Sequence, residues 1–127
     1  MFNKQKIKPT ESELEILRIL WDKKSASVRE VHEILSLHKE SGYTTTLKLL
    51  QIMFEKSLVI RDDTSKVHIY TPNVSKESTQ KQFMHKMVET LFGGSSVQLA
   101  MQALGNSKPS KDELAEIEKI LNRLKNK

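Results

Sequence analysis

Apolar and polar positions recur at a helical period in three successive segments near the start of the chain. Leu14, Leu17 and Trp21 share one face of the first, and Ile16 with Leu20 widen it into a stripe broad enough for a buried helix. Thr10 followed by Glu13 has the S/T-x-x-E form whose side chains satisfy two free N–H groups, which predicts a helix from about Glu11 to Asp22. Lys23-Lys24-Ser25-Ala26 reads as a turn, and Ser27 with Glu30 repeats the capping signature. A second helix is predicted from about Val28 to Leu37, with Val28, Val31 and Leu35 inward, Ile34 beside them, and Arg29, Glu30, His32 and Glu33 outward. Ser41-Gly42 breaks the pattern, and Thr44-Thr45-Thr46 opens a third helix reaching about Lys56. Three β-branched residues in a row are best tolerated at such an N-terminus, where their hydroxyls can cap or reach outward.

After Ser57 the period changes. Leu58-Val59-Ile60-Arg61, a polar turn from Asp62 to Lys66, and Val67, Ile69 and Thr71 alternating with His68 and Tyr70 describe a β-hairpin. Three helices and a hairpin within roughly 65 residues match, by analogy, the winged-helix variant of the helix-turn-helix. The remainder reads as helical. Phe83, Met84, Met87, Val88, Leu91 and Phe92 recur in a segment from Lys76 to a Gly93-Gly94 stop, and a short helix from Ser96 to Leu104 follows. Ser110 with Glu113 forms a third capping box. In the last helix Leu114, Ile117, Leu121 and Leu124 recur at spacings of 3, 4 and 3, an a/d seam with Ile120 beside it. The expected fold is mostly α with a small hairpin wing: a winged helix over 8–73 and a helical dimerisation domain over 74–127.

Composition narrows the chemistry. The 127 residues contain no cysteine, which removes disulfides, thiolate nucleophiles and Cys-ligated metals together. At 37% hydrophobic the chain is lean, so a partner subunit is expected to complete part of its core. The start, MFNKQKIKPTE, is basic but leads into no apolar run, and no stretch approaches membrane-spanning length. Neither a signal peptide nor membrane insertion is expected, and the cytoplasm is the expected compartment. The net charge of +5 suits a polyanion without locating a binding face, because cations exceed acids by 14 to 11 up to Gln82 and by 7 to 5 beyond it.

The third helix is the most informative element, because a helix that enters a major groove presents short polar or cationic side chains at its N-terminal end. Its phase is ambiguous: the inward set is either Thr46, Leu49, Leu50 and Met53, or Leu47, Leu50 and Phe54. Lys48 points away from both. Thr44 and Thr45 sit at the N-terminus, where hydroxyls and the helix dipole suit a phosphate. Gln51 reaches an adenine edge in the first phase. In the hairpin, Lys66 is the expected backbone contact, with His68 and Arg61 on the flanking strands; His68 is either a contact or simply solvated. A metal site is not expected, since His32 and His38 fall on different helix faces and His68 and His85 are isolated. Neither catalysis nor a cofactor is expected. Ser36-Leu37-His38-Lys39 and Ser78-Thr79-Gln80-Lys81 both fit S-x-x-K, yet the partner motifs of those hydrolases are missing. Met84, Met87 and Leu91 join the last helix's Leu114, Ile117, Leu121 and Leu124 as candidate dimer contacts.

Leu14-Glu15-Ile16-Leu17-Arg18-Ile19-Leu20-Trp21, Ala26-Ser27-Val28-Arg29-Glu30-Val31, Gly42-Tyr43-Thr44-Thr45-Thr46-Leu47, Glu55-Lys56-Ser57-Leu58-Val59, His68-Ile69-Tyr70 and Phe92-Gly93-Gly94 together resemble the BlaI/MecI penicillinase-repressor family. The resemblance spans nearly the whole chain, with a Trp ending the first helix, Tyr-Thr-Thr starting the third, and Phe-Gly-Gly in family order. It implies a homodimeric winged-helix repressor that binds a palindromic operator in double-stranded DNA. It further implies relief when a membrane-bound sensor metalloprotease triggers cleavage in the dimerisation helices. By position, the family's DNA contacts fall on Thr44, Thr45, Lys48 and the wing around Lys66. Ile52 stands where many members carry an arginine, and Ser57 where the third helix ends on glycine. The Asn-Phe cleavage junction of staphylococcal members is replaced by Leu99-Ala100-Met101-Gln102. The copper-responsive branch uses C-terminal cysteines, which this chain lacks.

Overall fold

The structure, a computed structural model, describes residues 8–127, so the sequence expectation about the first seven residues lies outside the described part. Its elements run α1 (Glu11–Lys23), β1 (Ala26–Ser27), α2 (Val28–Leu35), α3 (Tyr43–Glu55), β2 (Val59–Asp62), β3 (Ile69–Pro72), α4 (Lys76–Leu91), α5 (Ser96–Gly105) and α6 (Lys111–Lys125). All three expected capping boxes form, at Thr10–Glu13, Ser27–Glu30 and Ser110–Glu113. Glu30 is held below the usual glutamate range, chiefly by the Ser27 backbone N–H it accepts and with help from Lys23.

The chain separates into two compact units, one ending at Lys81 and the other spanning Gln82–Lys127. In the first, Ile16, Leu17 and Leu20 of α1 meet Val31 of α2, Leu50 and Met53 of α3, and Leu58, Val59 and Tyr70 of the sheet in one buried cluster. Trp21 closes one side of this cluster, its indole N–H donating to the Val74 carbonyl at 2.9 Å. The sheet has three antiparallel strands in the order β1-β3-β2, with Ala26 opposite Tyr70 and Arg61 opposite the same residue on the other side. This makes a three-helix core with a small sheet and a hairpin wing, the winged-helix fold.

Several local expectations are corrected. Ala26 belongs to β1 and not to a turn, because pairing with Tyr70 satisfies backbone groups that the local sequence leaves unassigned. The second helix stops at Leu35, where Leu37 and His38 N–H groups form tighter turns to Ile34 and Leu35, leaving Leu37 77% exposed. Val67 and His68 precede β3 and do not join it; Tyr70 is the buried member of the alternation. His32, expected outward, is half-buried and reaches α3.

The second unit holds α5, α6 and most of α4. Val88 is its buried apolar residue, and α4 ends on Gly93 and Gly94, both at positive φ, with Gly94 N–H donating to the Val88 carbonyl at 2.9 Å. Met84, Met87, Leu91, Leu114, Leu121 and Leu124 are all exposed, and Ile117 is half-buried. Among the described residues no helix is long and apolar enough to cross a membrane.

Candidate nucleic-acid interface

The buried set of α3 is Thr46, Leu50 and Met53, with Leu49 partly buried against the core, so the first of the two helix phases is the observed one. Leu47 is half-buried and Phe54 exposed. That phase turns Thr44, Lys48 and Gln51 outward at i, i+4 and i+7, a polar stripe along one face, with exposed Thr45 beside it.

Gln51 also lines an open groove of about 450 Å³ bounded by the start of α2, by α3 and by the wing. The same groove carries Arg29, Tyr43, Arg61, Lys66 and His68. The structure therefore brings Gln51, Lys66 and His68 together and leaves Thr44, Thr45 and Lys48 on the exposed part of α3 outside the groove. Three cations and a histidine line this groove together with apolar residues such as Val28, Leu47 and Val67, an arrangement suited to an extended anion.

Arg61, on a strand flanking the wing turn, has a specific geometry. Its guanidinium lies 4.2 Å from the centre of the Phe54 ring and 3.5 Å from an Asp63 carboxylate oxygen. These two contacts set the direction of the guanidinium, whose Nε is buried without a hydrogen-bond partner among the described residues while the side chain as a whole stays partly exposed. Within the wing turn, Asp62 accepts the Thr64 N–H at 3.0 Å and its hydroxyl at 2.8 Å, which holds the Asp62 carboxyl below its usual range and shapes the tip that presents Lys66.

Arg29 and Tyr43 line the groove but are not among the residues that the sequence pattern singles out. Arg29 stood in the outward set of the second helix with nothing local to bring it near the wing; Tyr43 lay just before the expected helix start. Only the crossing of α2 and α3 places them in one cleft. Among the described residues no three His, Asp or Glu side chains gather into a metal-binding group.

The fold and this face define a winged-helix protein of the transcriptional-regulator class. The chain belongs to the penicillinase repressor family, whose model matches residues 9–123. It is 24% identical over 127 residues to a penicillinase repressor of Staphylococcus aureus, covering the whole of both chains. A penicillinase repressor of Bacillus licheniformis is 24% identical over 118 residues, covering 93% of this chain and 92% of that one. Two solved structures share the fold. The DNA-binding domain of the repressor BlaI has a TM-score of 0.52 at 24% identity, over 58% of this chain and 90% of that one. The monomeric form of Bacillus licheniformis BlaI in complex with the blaP half-operator has a TM-score of 0.50 at 23% identity, over 57% and 89%. The family is one of transcriptional repressors, not enzymes.

Proposed function

We propose that this chain is a cytoplasmic, homodimeric DNA-binding repressor that reads a palindromic operator with α3 and holds the backbone with the wing. The observation that carries the reading is the polar stripe of α3 beside a cation-lined groove at the wing. In this reading Thr44, Thr45, Lys48 and Gln51 enter the major groove, which admits one helix, while Lys66, His68, Arg29 and Arg61 face phosphates. The family relative bound to a half-operator supports the same partner class.

Residues 8–73 form the DNA-binding part and 74–127 the dimerising part. The second assignment is supported by the exposed apolar set Met84, Met87, Leu91, Leu114, Leu121 and Leu124, which a second copy would cover. Two half-sites are then engaged by one tethered pair. Repression is relieved by whatever separates those helices, a membrane-bound sensor metalloprotease being the agent the family resemblance supplies.

The test is recovery of genomic fragments on the purified protein, sequencing, and salt titration of the enriched duplex. Each phosphate neutralised contributes about −0.9 to the log-log slope, so a steep slope on a palindromic duplex is expected. A flat, weak response on every duplex overturns the reading and favours a winged-helix module that binds protein.

A further inference from the structure

We infer that His32 is a positioning residue for DNA recognition, fixing the first turn of α3 from α2 through Thr46 and Tyr43. The inference rests on the DNA-binding reading above and adds a residue that does not itself line the groove.

Hydroxyl side chains cap α1, α2, α5 and α6, at Thr10, Ser27, Ser95 and Ser110. The helix that presents Thr44 and Thr45 is different: α3 begins at Gly42 with no side-chain cap. Its first turn is held from outside instead. His32 Nδ1 lies 3.1 Å from the Thr46 hydroxyl, which is fully buried, and the imidazole meets the Tyr43 ring edge-on at 5.6 Å between centres.

The network also assigns the tautomer. Ser36 Oγ donates its one hydrogen to the His32 carbonyl at 2.8 Å, so toward His32 Nε2, 3.3 Å away, it can only accept. Nε2 therefore carries the proton, Nδ1 carries the lone pair, and the Thr46 hydroxyl donates to it. Without that acceptor the buried hydroxyl must turn to a backbone carbonyl. The carbonyl one turn back, the usual acceptor for a helical threonine, is Gly42 O, which already takes the N–H groups of Thr45 at 3.1 Å and Thr46 at 3.3 Å. Loss of His32 thus disturbs the turn that aims Thr44 and Thr45, while the phosphate contacts of the wing stay in place.

The experiment uses the full chain and anisotropy on two duplexes, the enriched one and a scrambled one of equal length. His32→Leu, which leaves the buried hydroxyl unpaired, and Thr46→Val, which removes the same tether from its other end, are each expected to weaken the enriched duplex about tenfold and the scrambled duplex less than about twofold. The double variant should lose no more than the worse single. His32→Asn, whose Oδ1 falls near the site of Nδ1, should return affinity to within about threefold of the starting protein. Nitrogen-15 shifts of the imidazole should report the Nε2–H form. Equal loss on both duplexes, additive single effects, an Asn variant no better than Leu, or an Nδ1–H tautomer overturns the inference. If His32→Leu does not fold, Thr46→Val and His32→Asn decide by the same criteria. If the starting protein binds neither duplex, the DNA-binding reading itself fails, and the inference with it.

Discussion

Lys56 Nζ lies 3.0 and 2.9 Å from the two carboxylate oxygens of Glu13, a residue 43 positions earlier and only 1% exposed. The same carboxylate accepts the Thr10 N–H at 2.8 Å. A capping residue of α1 is therefore also the ionic anchor for the end of α3, and it ties the helix proposed to face DNA to the core. Lys56→Met leaves a buried carboxylate without its counter-charge. Breaking a fully buried pair costs roughly 3 to 5 kcal/mol, and the 30% exposure of the Lys56 side chain lowers the expected loss to about 2 kcal/mol. Urea unfolding measures it. A loss under about 0.5 kcal/mol would mean that solvent compensates the carboxylate.

Ser57 sits at φ 64°, in the left-handed region that L side chains rarely adopt. It closes α3 in a Schellman arrangement, with Leu58 N–H on Met53 O at 2.9 Å and Ser57 N–H on Phe54 O at 3.0 Å. Ser57→Gly should relieve the Cβ penalty and raise stability by about 0.5 to 1 kcal/mol, even after the extra flexibility of glycine in the unfolded chain. Thermal unfolding should show a melting temperature raised by a few degrees. An unchanged or lowered value contradicts the strain argument.

Much of this architecture is legible locally. Capping boxes act within three residues, and a broad apolar stripe can be counted along one segment, so the helices of the winged part and the seam of α6 follow from sequence. What failed depends on partners far away. Ala26 is a strand only because Tyr70 comes alongside, and His32 turns inward only because Thr46 and Tyr43 cross it. The two apolar sets of α3 could not be separated by periodicity, since Leu50 belongs to both. Packing chose the set that includes Thr46, a buried residue whose hydroxyl lies 3.1 Å from His32 Nδ1. Thr44, Thr45, Lys48 and Lys66 are candidates from the helix start, the hairpin turn and the family resemblance alike, whereas Arg29 and Tyr43 enter only with the groove.

Lys66 is exposed at the wing and lines that groove, and its expected role is positional. Lys66→Ala should weaken binding to all duplexes alike and lower the salt slope by about one. Titrations on the enriched and scrambled duplexes check this together. Loss confined to one sequence would reassign Lys66 to base readout.

Lys48 lies on the outward stripe of α3, between Thr44 and Gln51, and is exposed. If it reaches a base edge, Lys48→Ala should cost roughly 1 to 3 kcal/mol on the enriched duplex, with tolerance gained at one base pair. Affinity measured across single-base variants of that duplex shows where. Unchanged affinity with an intact fold removes Lys48 from the contact set.

Leu121 stands 48% exposed on the seam of α6, in line with Leu114, Ile117 and Leu124. A charge at such a position costs a single chain little, because water still reaches it; between two copies the same charge is buried without a partner. Leu121→Asp should therefore split the proposed dimer and leave the winged helix folded, as its buried cluster draws no residue from α6. Each separated chain then reaches one half-site, and the second contact set loses the effective concentration that tethering provides. Operator affinity should fall by about 10² or more, together with a monomer mass in analytical ultracentrifugation. Two other outcomes tell against the dimer seam. Unfolding of the whole chain would place Leu121 in the core of a single copy, and a dimer that still binds normally would place the two-fold contact elsewhere, so that separating these helices could not relieve repression.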